Sequence, residues 1–209
     1  MSSDRRQPNA ATLARVCVLT LAVAARVHAS APTHAEVALD PTQTVVAFRV
    51  SGTLHDTHGT FRLTEGRLDV DQATGAAGGL VVVDTASGDT HNAARDARMK
   101  ARVLDAGRYP EMQYRPRRVD GQLEADGSFR GTMHGVLTLH GADHELSVET
   151  EGRIVGDALT ATCRFAVPYV AWGLPDPSVP LLAVAKTVDV EVKAVGRVSW
   201  TTDTREVPR

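Results

Sequence analysis

Ser87-Gly-Asp-Thr-His-Asn-Ala-Ala-Arg-Asp-Ala-Arg-Met-Lys100, followed by Val103-Leu-Asp105 and Arg108-Tyr-Pro-Glu-Met-Gln-Tyr114, reads as the one short helix in a chain otherwise made of strands. Asn92 or Thr90 is placed to cap it, Asp96 suits its early part, and Arg98, Lys100 and Arg102 suit its later part. Ala93, Ala94, Ala97 and Ala101 are strong helix formers. Met99, Val103 and Leu104 leave a narrow apolar stripe. A lone helix among strands has few places to bury such a stripe, and the mouth or side of a barrel is the natural one.

On either side of this patch apolar and polar residues alternate with period two. Val45 to Val50 is the first clear strand, and Gly59 to Asp71 the second, with Phe61, Leu63, Leu68 and Val70 on its apolar face. Gly78-Gly79 opens Leu80 to Val83. Met112 and Tyr114 begin a strand expected to end near Asp120-Gly121, and Asp126-Gly127 is a second turn signal before Phe129 to Leu139. Leu146, Val148 and Thr150 alternate with charged or polar residues. Gly156-Asp157 then turns the chain into Leu159, Ala161, Cys163, Phe165 and Val167, and Val188, Val190 and Val192 make the last strand. Such alternation with Asp-Gly and Gly-Asp turns predicts antiparallel strands. Eight or nine of them predict an all-β fold, either a sandwich or a closed barrel of about eight strands with one short helix between strands. Closing the sheet removes its edges. An eight-stranded barrel is just wide enough for side chains or one small ligand. Aromatic residues are only 4% of the chain, and small inward residues favour a cavity.

Residues 1–29 read as a signal peptide. Arg5, Arg6 and Arg15 lead into the apolar run Val16 to Ala25, and Val27-His-Ala29 ends it with an A-x-A-like site. Residues 30–209 are then one domain of an exported protein, periplasmic or secreted. No later segment is apolar enough for stable membrane insertion. The 209-residue chain has a formal charge of -2, and its leader holds four Arg against one Asp, so the mature part carries about -5. That balance argues against nucleic acid and offers no basic patch for an anionic membrane. The single mature cysteine, Cys163, is expected to be a buried small residue.

No catalytic constellation is visible. There is no G-x-S-x-G, no Gly-rich phosphate loop opening a helix, and no paired-carboxylate geometry. No cofactor is expected. The rival clue is histidine: His55 and His58 around Asp56, and His140 and His144 around Asp143, are an alternative metal set, with metal-assisted hydrolysis as its chemistry.

The pieces resemble the YceI-like family, lipocalin-like barrels that bind polyisoprenoid lipids. The resemblance rests on His58-Gly-Thr-Phe61 with Gly66-Arg-Leu68, on Arg95-Asp96, Met99, Tyr109-Pro110 and Tyr114, and on Gly135-Val-Leu-Thr-Leu-His-Gly141. Val167-Pro-Tyr-Val-Ala-Trp-Gly-Leu-Pro-Asp-Pro-Ser178 with Lys186-Thr-Val-Asp-Val completes it. Many members have a His where this chain has Arg98, and paired Phe where it has Val103-Leu104. The resemblance implies a non-enzymatic barrel holding a long isoprenoid lipid or quinone, for transport, storage or stress protection, with the assembly open between monomer and homodimer. The lining residues expected are Phe48, Val50, Phe61, Met99, Tyr109, Met112, Tyr114, Leu137, Leu139, Phe165 and Leu174. Arg95 and Asp96 would either meet a head group or tie the helix to the rim. Trp172, Pro175, Pro177 and Pro180 form a rigid loop, either a partner surface or, as the late place of the matching family segment favours, a lid over the barrel mouth.

Overall fold

The computed structural model describes residues 34–201, so the leader reading of residues 1–29 lies outside the described residues. Nine strands follow in chain order. They are β1 His34–Leu39, β2 Val45–Val50, β3 Thr57–Asp71, β4 Ala77–Asp89, β5 Glu111–Leu123, β6 Ser128–Leu139, β7 Ala142–Val155, β8 Ala158–Val167 and β9 Val188–Thr201. The helix α1, Ala93–Arg98, and a π-helical turn, Met99–Val103, stand between β4 and β5.

All pairings are antiparallel, and the sheet closes through β3 and β4. The two shortest strands share one stave. β1 pairs with the later half of β3 and with the end of β9, and β2 pairs with the earlier half of β3 and the start of β9. Asp40 to Thr44 break that stave, with Thr44 Oγ1 donating to Val195 O at 3.2 Å. The nine strands therefore make an eight-staved barrel, in which every strand has two neighbours and no edge is left open. At about 3.3 Å per residue, the 15 residues of β3 run roughly 50 Å. A tilt of about 40° makes the wall on the order of 38 Å high.

Turn chemistry fixes the two ends. At the helix end lie the β2–β3 loop, α1, the β6–β7 turn and the long 168–187 loop. At the far end lie the β3–β4, β5–β6 and β7–β8 turns. The β6–β7 turn is the pair His140-Gly141, with φ of 54° and 77°, as a two-residue hairpin of primed type requires. Asp120-Gly121 is not a turn. β5 continues to Leu123, and Gly121 pairs with Gly131 of β6 so closely that a Cβ on Gly131 would come within 2.6 Å of the Gly121 Cα. The glycine there marks close backbone approach, which a sequence pattern does not separate from a turn.

The core is divided. Leu139, Val167, Tyr169 and Leu174 form a buried cluster at the helix end, and Ala35, Leu159 and Val198 form another at the far end, against Phe129 and Trp200. Between them the inward side chains face a lumen. The outer wall is polar, with Arg130, Glu151, Arg164 and Glu191 laced across β6 to β9 at 2.9 to 3.1 Å.

Candidate ligand-binding lumen

Asn92 caps α1, its Oδ1 accepting from the Arg95 backbone N–H at 3.0 Å. Thr90 does something else. Its N–H and Oγ1 donate to Asp96 Oδ1 at 3.0 and 2.5 Å, while Arg95 Nε donates to Thr90 Oγ1 at 2.7 Å and an Arg95 Nη to Thr90 O at 2.8 Å. Thr90 thus binds both helix side chains to the end of β4. Its hydroxyl and amide hold the Asp96 carboxyl below its ordinary range. Gly88, just before, leaves room for Met99 and Phe61: a Cβ there would meet them at 2.6 and 2.7 Å. The helix is therefore fixed with Met99, Val103 and Leu104 turned to the lumen.

The lumen is a cavity of about 1060 Å³ reaching both ends of the barrel. One hydrogen-bonded row shows how it is built: Phe61, Val46, Val192, Cys163, Thr150, Gly131 and Gly121 pair in register across β3, β2, β9, β8, β7, β6 and β5, and all face it. Polar groups inside are few and occupied. Tyr114 Oη donates to Met133 O at 3.1 Å, and burial pushes its phenol up, beyond the usual tyrosine range. Burial also raises the Cys163 thiol, which keeps it protonated and a poor nucleophile. Charged and amide groups gather at the ends, Arg95 and Arg98 at one and Asp71, Gln72 and Glu124 at the other.

Of the residues expected to line a cavity, Phe48, Val50, Phe61, Met99, Met112, Tyr114, Leu137, Leu139, Phe165 and Leu174 face it, as does Arg95. Two do not. Tyr109 packs on His140, centroids 4.5 Å apart, and its ring fills the space beside Gly141. Asp96 is turned to Thr90. The metal set is not assembled either. His55 in the β2–β3 loop and His58 in β3, and His140 in the β6–β7 turn and His144 in β7, stand on opposite walls of an eight-staved barrel. His144 instead lies flat on Trp172, centroids 4.2 Å apart with planes 4° from parallel. Among the described residues, His34, Glu36 and Asp69 on the outer wall form a group of three potential metal donors, away from the lumen. Sequence reasoning missed Phe129, Arg98, Tyr169 and Trp200, all at the lumen. Trp200 was legible, since period two runs on from Val188 once Gly196 is allowed a place in the strand.

A closed antiparallel barrel with an apolar lumen and a short helix at one end is the architecture of a lipocalin-like, ligand-holding protein. The chain belongs to the YceI-like family, whose YceI-like domain model matches residues 38–196. Solved structures share the fold. BcnA of Burkholderia cenocepacia is 19% identical with a TM-score of 0.59, covering 77% of this chain and 99% of its own. A polyisoprenoid-binding domain of Saccharophagus degradans implicated in plant cell wall breakdown is 16% identical at 0.59, covering 81% and 100%. The Campylobacter jejuni YceI protein is 17% identical at 0.55, covering 66% and 83%. No curated protein matches the sequence.

Proposed function

We propose that this protein is an exported binding protein that holds one long-chain isoprenoid, polyprenyl or quinone in type, along its lumen, and that it works by binding and not by catalysis. The observation that carries this is a cavity of about 1060 Å³ whose middle is walled by aliphatic and aromatic side chains over the length of the barrel. That volume lies at the top of the range of roughly 300–1,000 Å³ usual for small-molecule sites. A branched hydrocarbon matches an apolar tube of this length. At about 0.8 kcal/mol per buried CH2, roughly twenty tail carbons contribute on the order of 16 kcal/mol gross. Association and ordering costs of about 4–15 kcal/mol leave usable affinity. The likeness to a domain described as polyisoprenoid-binding supports the ligand class. The raised Cys163 and Tyr114 pKa values support binding, because neither group ionises readily inside. Arg98 faces the helix end of the lumen and suits an anionic or carbonyl head group there. Export to the periplasm or beyond rests on the leader reading of residues 1–29.

Native mass spectrometry of the exported protein, with organic extraction of what it carries, tests this. An isoprenoid in one-to-one ratio is expected. A stoichiometric metal adduct, or a lumen that rejects polyprenols and quinones offered from detergent, would overturn it.

A further inference from the structure

β7 and β8 part before they reach the helix end. Their ladder runs from Val155 and Ala158 to Glu149 and Arg164 and stops there. β8 continues to Val167 along β9, and β7 runs back to Ala142 along β6. Residues 142–148 of β7 therefore have a paired strand on one side only, over roughly 20 Å at about 3.3 Å per residue. Leu146 and Val148 of β7 and Phe165 and Val167 of β8 line the cavity, so the wedge between the two strands gives onto the lumen.

The turn that follows β8, residues 168–174, fills this wedge. It is bonded to itself: Trp172 N–H donates to Pro168 O at 3.1 Å, and Gly173 N–H to Val170 O and Leu174 N–H to Tyr169 O, each at 3.0 Å. Tyr169 Oη donates to Ala185 O at 2.9 Å, which ties the turn to the chain entering β9. Among the described residues, no backbone hydrogen bond of the turn reaches β7. On that side Trp172 lies flat on His144, 4.2 Å away with planes 4° from parallel. The turn is thus held on its β8–β9 side by bonds and on its β7 side by packing. Gly173 has φ of 90°, and a Cβ there would meet nothing within 4 Å, so the chain pivots in free space.

The packing side is also the weaker one. His144 Nε2 is buried and finds no hydrogen-bond partner among the described residues. Closing the turn leaves that nitrogen desolvated, and opening it returns the nitrogen to water, which offsets part of the ring contact. The short β4–β5 ladder, Val81–Asp84 on Glu111–Tyr114, differs in this respect. It is closed again by the Ala76–Arg118 bridge and by Val119 N–H on Gly75 O at 2.8 Å.

We infer that residues 168–174 are a flap over a lateral entrance, latched by Trp172 on His144, and that an apolar tail enters and leaves the lumen between β7 and β8. The inference rests on the lumen holding such a tail. Tyr169 and Leu174 form the inner face of the flap, whereas Trp172 and His144 do not line the cavity. Loosening the latch therefore changes the rates of uptake and release together and leaves their ratio alone.

The purified mature protein is loaded with a pyrene-labelled polyprenol from detergent, and transfer to phosphatidylcholine vesicles reads release. Trp172→Leu keeps an apolar cover and loses the ring-on-ring contact. It is expected to speed uptake and release by roughly threefold to tenfold, with Kd within about twofold of wild type. The converse variant fastens the flap: His144→Cys with Trp172→Cys, in a Cys163→Ala background, bridged by a reducible bismaleimide. The bridged protein is expected to release its ligand about tenfold or more slowly than the same protein after reduction. Both forms are one polypeptide, so the comparison stands however far the substitutions weaken the fold. Equal rates before and after reduction overturn the inference and leave the lumen reading standing. So does a Trp172→Leu protein whose Kd changes while its release rate does not. A wild type that loads no polyprenol overturns both.

Discussion

Val192→Phe separates an open lumen from a packed core by the sign of its effect. Val192 lies on β9 at mid-wall, in register with Val46 and Cys163, and retains accessible surface although its side chain points into the barrel. Forcing about four more carbons into a packed core costs typically 1–3 kcal/mol. In a domain of this size that lowers Tm by roughly 2–4 °C per kcal/mol. A cavity of about 1060 Å³ has room for the ring, so overpacking vanishes. Covering even half of the added carbons against Val46 and Cys163 then stabilises by about 1.5 kcal/mol. Both residues favour strands, so propensity does not cloud the result. The same ring occupies the path of a bound tail. Displacing two or three CH2 groups at about 0.8 kcal/mol each weakens binding by roughly tenfold to fiftyfold. Thermal unfolding of the delipidated protein and a polyprenol titration read the two effects. The expected result is an unchanged or raised Tm with weakened binding. A Tm lowered by several degrees, with binding intact, refutes the reasoning.

Thr90→Val removes a 5%-exposed hydroxyl that serves Asp96 and Arg95 together, and is expected to destabilise by about 1–3 kcal/mol and to speed amide exchange across α1 before the barrel opens. Asp96 has its pKa depressed by Thr90, so its contribution is complete above the ordinary carboxylate value of about 3.9 and is lost as pH falls through the folded value. Near-ultraviolet circular dichroism and α1 amide exchange should therefore hold steady from neutrality to about pH 4 and change only below it, and loosening of the helix at higher pH counts against the network. Gly88→Val places methyl groups where Met99 and Phe61 already stand, so it should displace the helix end and change polyprenol binding more than it changes the far end of the barrel, as backbone chemical shifts would show. Loading a tail ligand at about a hundred times its Kd should stabilise the barrel by roughly 2.7 kcal/mol, a Tm rise on the order of 5–10 °C in calorimetry.

Much of the barrel is legible in the sequence because a half-buried strand must alternate. Where Val188, Val190 and Val192 alternate with Asp189, Glu191 and Lys193, the face is unmistakable, and the structure carries it on to Trp200. β1 is harder to read: Ala35, Val37 and Leu39 alternate with His34, Glu36 and Ala38, but six residues with two alanines make a weak signal. The helix is legible from its cap and its alanines, yet β4 runs on to Asp89, inside what reads as the helical patch. The extension pairs Asp89 with Thr60 of β3, and Gly88 within it leaves room for Met99 returning from the helix, contacts no local pattern records. Tyr109 shows the limit at the site. Motif spacing puts it near the lumen, but a side chain's direction at a turn is set by its partners, here His140; Asp96, read as either a head-group contact or a tie from helix to rim, makes the tie through Thr90.

The two buried clusters and the lumen between them bear on why the barrel needs its ends. Among the described residues Leu63 and Thr85 are the largest side chains below 2% exposure. A wall on the order of 38 Å high that keeps open space in its middle forgoes part of the burial that a filled core would contribute. What holds it is the hydrogen-bonded cylinder, the outer ladder of exposed ion pairs at about 0–1 kcal/mol each, and the end clusters where Tyr169, Leu174 and Leu139 meet on one side and Leu159 and Val198 on the other. The helix end serves twice, since Val103, Leu104 and Leu174 there both close the core and border the cavity. A tail entering past them must part side chains that also stabilise the fold. If uptake takes place at that end it is coupled to local stability, and Thr90→Val is then expected to speed ligand exchange as well as to loosen the helix.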